Sequence, residues 1–133
     1  MNILFIEDDN IETMKLRRTV SKLVTKHQIT EAKNGEEALN ILKSEADLPD
    51  VIFLDLNMPK MSGIEFLTIL KADDVMKYLP TLILTTSENR ADLLECYRIG
   101  IAGYILKPLK YEDYEAKIRK VFDYWEINEL VKA

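Results

Sequence analysis

Residues 51–63 read VIFLDLNMPKMSG. Four apolar residues in a row, two of them β-branched, mark a strand buried on both faces. Pro59 and Gly63 mark the turn that follows. An apolar strand does not need the acid at its end, however. Asp55 stands where the run leaves the core, and a carboxylate there is costly unless it has a partner or a task. What surrounds that acid decides both fold and function.

Upstream, NILFI (2–6) is a second short apolar run, and it stops on EDDN. From Ile11 to Lys26 apolar residues return at Leu16, Val20, Leu23 and Val24, which predicts a helix with those four inward. QITEA (28–32) alternates as a strand does. Asn34 is placed to cap a helix that turns Ala38, Leu39 and Leu42 inward. Downstream, a helix is predicted from Ile64 to about Ala72, then a strand in PTLILTT (80–86). ENRADLLECYRIG (88–100) reads as a helix closed by Gly100. AGYILKP (102–108) is a fifth strand and YEDYEAKIRKVFDYW (111–125) a fifth helix. Strands that alternate with helices through right-handed crossovers make an α/β fold, a doubly wound five-stranded parallel sheet with helices on both faces. These patterns leave the strand order open. Ligands of such sheets bind outside the carboxyl ends of the strands, so the strand ends are the residues to read.

Composition narrows the function. The 133-residue chain carries 18 Lys and Arg against 23 Asp and Glu, a net charge of -5. Such a chain lacks the basic face that a nonspecific grip on nucleic acid or anionic membrane requires. A single cysteine, Cys96, leaves no internal disulfide and fits a reducing compartment. MNILFI runs directly into acids with no leader pattern, and no apolar stretch approaches the roughly 20 residues of a membrane span. A cytoplasmic location is expected.

The strand ends carry Glu7, Asp8 and Asp9, then Asp55, then Thr85, Thr86 and Ser87, and last Lys107 before Pro108. Taken singly, each has a structural explanation: Asp9 or Asn10 as a helix cap, Thr85 as a strand former, Lys107 as a solvated charge. Gathered on one rim, they do not. Asp8 and Asp55 on neighbouring strand ends, with Glu7 adjacent, repel one another and demand a cation. The donors are all oxygen, since His27 is expected at the far end of the first helix, and hard carboxylates suit Mg2+ better than Zn2+. Lys107 adds a second, fixed positive charge. A metal, a carboxylate, a lysine and a hydroxyl around one point form a cradle for a phosphoryl group, with Asp55 as nucleophile.

Four stretches, FIEDDN (5–10), VIFLDLNMPKMSG (51–63), LILTTSEN (82–89) and AGYILKPL (102–109), together resemble the signatures of the response-regulator receiver domain. This is the CheY-like family of two-component signalling, and the likeness runs from about Asn2 to Phe122. The resemblance implies a flavodoxin-like strand order 2-1-3-4-5. It implies Asp55 as phosphoacceptor and Mg2+ held by Asp8, Asp55 and the backbone carbonyl of Asn57, with Glu7 acting through water. Thr85 becomes the switch hydroxyl, Tyr104 the switch aromatic and Lys107 the contact to the phosphoryl group. The peptide between Lys107 and Pro108 is expected to be cis. A phosphoacceptor of this kind assists its own phosphorylation and dephosphorylation but has no turnover substrate. A histidine kinase or phosphotransfer protein would be the donor, and a downstream protein would read the result.

Rival readings are an interaction module that works without phosphorylation, an aspartyl phosphatase and an FMN carrier. A haloacid-dehalogenase-type phosphatase wants a second acid where Asn57 stands. The EDDN loop would repel a flavin phosphate.

The receiver is expected to occupy residues 1–123, with 124–133 an aromatic extension of the last helix and no separate output domain. That helix should bury Tyr114, Ile118, Val121 and Phe122. Tyr124, Trp125, Ile127, Leu130 and Val131 follow. Either they form an apolar ridge beside the switch face, or Trp125 and Ile127 fold back on the domain. Stand-alone receivers paired with phytochrome-like kinases are similar in carrying an aromatic tail. A homodimer or partner contact is therefore expected on the fourth helix, fifth strand, fifth helix and tail, with Tyr104, Tyr124, Trp125, Ile127 and Leu130 as candidates.

Overall fold

Apolar runs set the architecture of the protein, seen in a computed structural model that describes residues 1–44 and 47–131. The strands β1 (Asn2–Ile6), β2 (Gln28–Ala32), β3 (Val51–Leu54), β4 (Thr81–Thr85) and β5 (Gly103–Leu106) form one parallel sheet in the order β2-β1-β3-β4-β5. Between and after them come α1 (Asn10–Ser21), α2 (Gly35–Ser44), α3 (Gly63–Ala72), α4 (Arg90–Ile99) and α5 (Tyr111–Ile127). Fold class and strand order agree with the sequence reading.

Alternation along the central strands divides the core in two, as a period of two must. Leu4, Ile6, Ile52 and Leu54 point to the face covered by α2 and α3, where Leu39, Phe66 and Leu70 meet them. Ile3, Phe5, Val51 and Phe53 point to the other face, under Leu16 of α1 and Ile118 and Phe122 of α5. Every residue of β3 and β4 is buried, which accounts for the apolar runs VIFL and LIL, with Thr81 and Thr85 closing β4 at either end. The register pairs Ile6 with Leu54 and Thr85 with Leu106, which brings the carboxyl ends to one edge.

Two expectations about the first helix need correcting. α1 ends at Ser21, not Lys26, because the amides of Lys22 and Leu23 turn back to the carbonyls of Thr19 and Val20. Val24, expected inward, is fully exposed in the turn that leads to β2. His27 lies in that turn with its ring out of solvent. Its Nδ1 is 3.1 Å from the Met1 amino nitrogen, its Nε2 3.1 Å from a Glu126 carboxylate oxygen, and the ring packs 4.7 Å from that of Phe122. Burial first, and the neighbouring amino group second, hold the imidazole below its ordinary pKa.

At the C-terminus the expected extension of the last helix divides between the two alternatives. α5 runs without a break through Ile127, and Trp125 is 3% exposed within the same cluster as Phe53 and Phe122. Packing therefore continues past residue 123. Tyr114, Ile118, Phe122 and Trp125 make one helical stripe, whereas Tyr124 and Ile127 fall outside it and are exposed. Leu130 packs partly on the same cluster, and Val131 is exposed. Trp125 thus belongs to its own core, and the outward ridge is reduced to Tyr124, Ile127 and Val131. Lys132 and Ala133 of the expected extension lie outside the described residues. Gly100 closes α4 as its spacing suggested, at φ 122°, with its amide on the Cys96 carbonyl. No helix among the described residues is long and apolar enough to cross a membrane.

Candidate functional site

Neighbouring strands in register deliver Glu7 and Asp55 side by side. The Glu7 amide donates to the Ala32 carbonyl at 2.9 Å and the Asp55 amide to the Ile6 carbonyl at 3.0 Å, so both backbones are fixed as they leave the sheet. Glu7 and Asp55 are buried and Asp8 is exposed. One carboxylate oxygen from each of Glu7, Asp8 and Asp55 lies within 4.8 Å of the others. Asp9 is not part of this group: its side chain accepts from the Ile11 amide at 2.8 Å and caps α1.

The chain beyond Asp55 is shaped by close approach. The Gly63 amide donates to the Leu56 carbonyl at 3.0 Å, and a Cβ at Gly63 would come within 2.7 Å of the Leu56 Cα. Glycine alone lets α3 begin against the loop that leaves the acid. Ser62 caps that helix by accepting from the Glu65 amide at 3.2 Å. Asn57 lies in the exposed part of the loop, two residues past Asp55. Lys60 takes φ 65°, a left-handed conformation that costs a residue with a Cβ about 1 kcal/mol.

From β5, Lys107 reaches across the rim. Its amide is tied to the Thr85 carbonyl at 2.8 Å, its ammonium contacts the Glu7 carboxylate, and Glu12 Oε2 lies 3.7 Å away. Burial pushes the Glu7 carboxyl up to about 7; Lys107 pulls against that shift, and the charge of Asp55 adds to it. Burial alone would lower the pKa of Lys107, but its contact with Glu7 and the charges of Glu7, Asp55 and Glu12 outweigh burial and hold it above its ordinary value.

A second group of side chains lies at the end of β4. Thr85 is fully buried, and its Oγ1 accepts from the Ser87 amide at 3.2 Å. The half-buried Tyr104 donates its hydroxyl proton to the Ser87 carbonyl at 2.9 Å, and burial raises its pKa. One loop residue therefore touches both the hydroxyl and the aromatic.

Sequence reading anticipated the gathering of Glu7, Asp8, Asp55 and Lys107, but not the isomer of one peptide. The Lys107–Pro108 bond, expected cis, is trans. Trans is the lower-energy form of an X–Pro bond, and Lys107 reaches Glu7 without the alternative. Glu12 was missed altogether. Its only signal was its position in the first turn of the helix that leaves the acidic loop.

An all-oxygen donor set, with two buried carboxylates and one open to water, fits a hard divalent cation such as Mg2+ and offers nothing that zinc prefers.

Comparison with known proteins agrees with this geometry. A family model for the response regulator receiver domain matches residues 3–119. The chain is 36% identical to the chemotaxis protein CheY-3 of Vibrio cholerae over 126 residues, covering 92% of each. Its structure resembles that of the phosphorylated cyanobacterial phytochrome response regulator RcpA with a TM-score of 0.93, at 27% identity over 98% of both chains. The Mn2+-bound form of response regulator Rcp1 matches at a TM-score of 0.90, with 26% identity over 97% of both.

Proposed function

This chain belongs to the response regulator receiver family, and from that premise we propose that it is a phosphorylation-operated switch whose acceptor is Asp55. The observation that carries the reading is the meeting of three carboxylates within 4.8 Å under the ammonium of Lys107. Such crowding has little value to stability and is what phosphoryl transfer to an aspartate requires.

In this reading, an Asp55 oxygen attacks the phosphorus of a donor phosphohistidine. The P–O bond forms as the P–N bond breaks, and the departing imidazole takes a proton. Asp8, Asp55 and the Asn57 carbonyl, with Glu7 through water, would hold Mg2+, which when bound supplies positive charge against the phosphoryl oxygens. Lys107 moves from Glu7 to a phosphoryl oxygen, a fixed cation exchanging one anion for another. Thr85 gives up its contact with the Ser87 amide to donate to the same group, and Tyr104, bonded to Ser87, is released or redrawn with that loop. The protein turns over no substrate of its own.

Two surfaces suit the partners. Ile11 and Met14 on α1 and Leu109 after β5 are exposed apolar side chains on segments that follow the strand ends, and they suit contact with a histidine kinase or phosphotransfer protein. A groove of about 550 Å³ between β5 and α5, lined by Tyr104, Leu106, Val121 and Tyr124 among others, suits the downstream partner or a second copy of the chain.

Acetyl phosphate with Mg2+ should add one phosphoryl group by mass spectrometry, and Asp55→Asn should abolish the addition. Labelling of that variant at the wild-type level would end the assignment. Light scattering with and without beryllofluoride tests the second copy. A monomer at high micromolar concentration in both conditions would remove it.

A further inference from the structure

Lys107 has two glutamates within reach, one in direct contact and one just beyond it. The ammonium sits on Glu7 in the acidic cluster, and Glu12 on α1 stands 3.7 Å away. Glu12 Oε2 is buried and accepts no hydrogen bond among the described residues, so its charge faces Lys107. The other oxygen of Glu12 is held at 3.3 Å by Lys15, whose ammonium lies 4.7 Å over the Tyr114 ring. Glu12 is thereby braced from behind by α1 and α5, and it lies outside the trio of Glu7, Asp8 and Asp55.

Resting on the receiver reading above, we propose that Glu12 is a positioning residue for Lys107. It offers the ammonium a second carboxylate, so that a divalent cation taking up the acidic cluster need not leave the lysine without a partner. The same bracing keeps the lysine within reach of a phosphoryl group on Asp55. If Glu12 loses its charge, Lys107 is left with Glu7 and Asp55 alone to pair with and becomes a stronger competitor for the metal.

A double-mutant cycle on Mg2+ affinity tests this, read by calorimetry on the unphosphorylated protein. Glu12→Gln in the wild-type background should weaken Mg2+ binding roughly 3- to 10-fold, the size of one partly buried charge pair. In a Lys107→Met background the same change should cost less than about twofold, because only the distant field of Glu12 on the ion is left. Equal factors in the two backgrounds would overturn the proposal, as would tighter binding in Glu12→Gln alone. Glu12→Asp, whose shorter arm cannot reach, should repeat the result and serves where the glutamine variant is poorly folded by circular dichroism. Absence of Mg2+ binding by the wild type would overturn the receiver reading itself, a different failure from additive factors with normal wild-type binding.

Discussion

Asparagine at position 55 removes one negative charge from a buried cluster while leaving its shape nearly unchanged. The oxygens of Glu7, Asp8 and Asp55 lie within 4.8 Å of one another. At an effective dielectric of about 20, two like charges at that distance repel by about 3 kcal/mol, and Asp55 faces two of them. Water at the exposed Asp8 screens one repulsion, and the attraction between Asp55 and Lys107 offsets much of the other. The balance is a stabilisation of about 1–2 kcal/mol in Asp55→Asn, or roughly 3–6 °C in Tm for a domain of this size. If the acidic trio holds Mg2+ as proposed, the ion should narrow the gap, stabilising the folded wild type by mass action while the variant offers a poorer site. Thermal unfolding followed by circular dichroism near neutral pH, with and without saturating MgCl2, reads both effects. An Asp55→Asn protein that melts at or below the wild-type temperature without metal would refute the repulsion. A gap that Mg2+ leaves unchanged would refute a shared metal site.

Other outcomes are as definite. Glu7 is raised to about 7 from an ordinary 4.5, so its contribution to stability is complete below the lower value and lost as pH rises through the upper. Measured against Glu7→Gln by urea titration, the wild type should lose at most about 3 kcal/mol across that window; a difference that stays flat would contradict the burial. Lys60→Gly relieves a left-handed backbone and should raise the urea midpoint by the equivalent of about 0.5–1 kcal/mol. No gain would mean that the turn relaxes in solution. Trp125→Ala should cost about 3–5 kcal/mol, as loss of a buried aromatic does. Ile127→Ala, two residues on and exposed, should change stability by no more than about 0.5 kcal/mol. Comparable losses in dilute urea titrations would refute the helical stripe.

Legibility in the sequence followed the range of the interactions. The strands and most helices were readable because Ile52, Phe53 and Leu54 carry their burial in composition, and Asp9 and Asn34 cap helices through bonds spanning two or three residues. The acidic trio was readable because parallel strands must send their ends to one side. Contacts between distant segments were not. Glu12 meets Lys107, and His27 meets Glu126, only once the sheet has brought α1, β5 and α5 together. Trp125 and Ile127 looked alike as apolar residues past the domain's apparent end, and only the helical phase separated a core anchor from a surface side chain. The end of α1 escaped because Val24 continued the apolar rhythm after the backbone had already turned.

The sheet is unevenly anchored. β3 and β4 bury every residue, whereas no residue of β5 is fully buried, and α4 contributes only Cys96 to the core. β5 is also an edge strand with one hydrogen-bonded neighbour. In native-state hydrogen exchange, the amides of α4 and β5 should therefore open at a fraction of the free energy of global unfolding, while those of β3 wait for the whole domain. Thr85 ends a strand buried throughout, and Tyr104 stands on one with no buried residue. The boundary between the firm and the soft parts of the molecule runs between these two side chains. In the proposed switch, a signal crossing it would work against the small energy of a local opening and leave the core that holds Asp55 undisturbed.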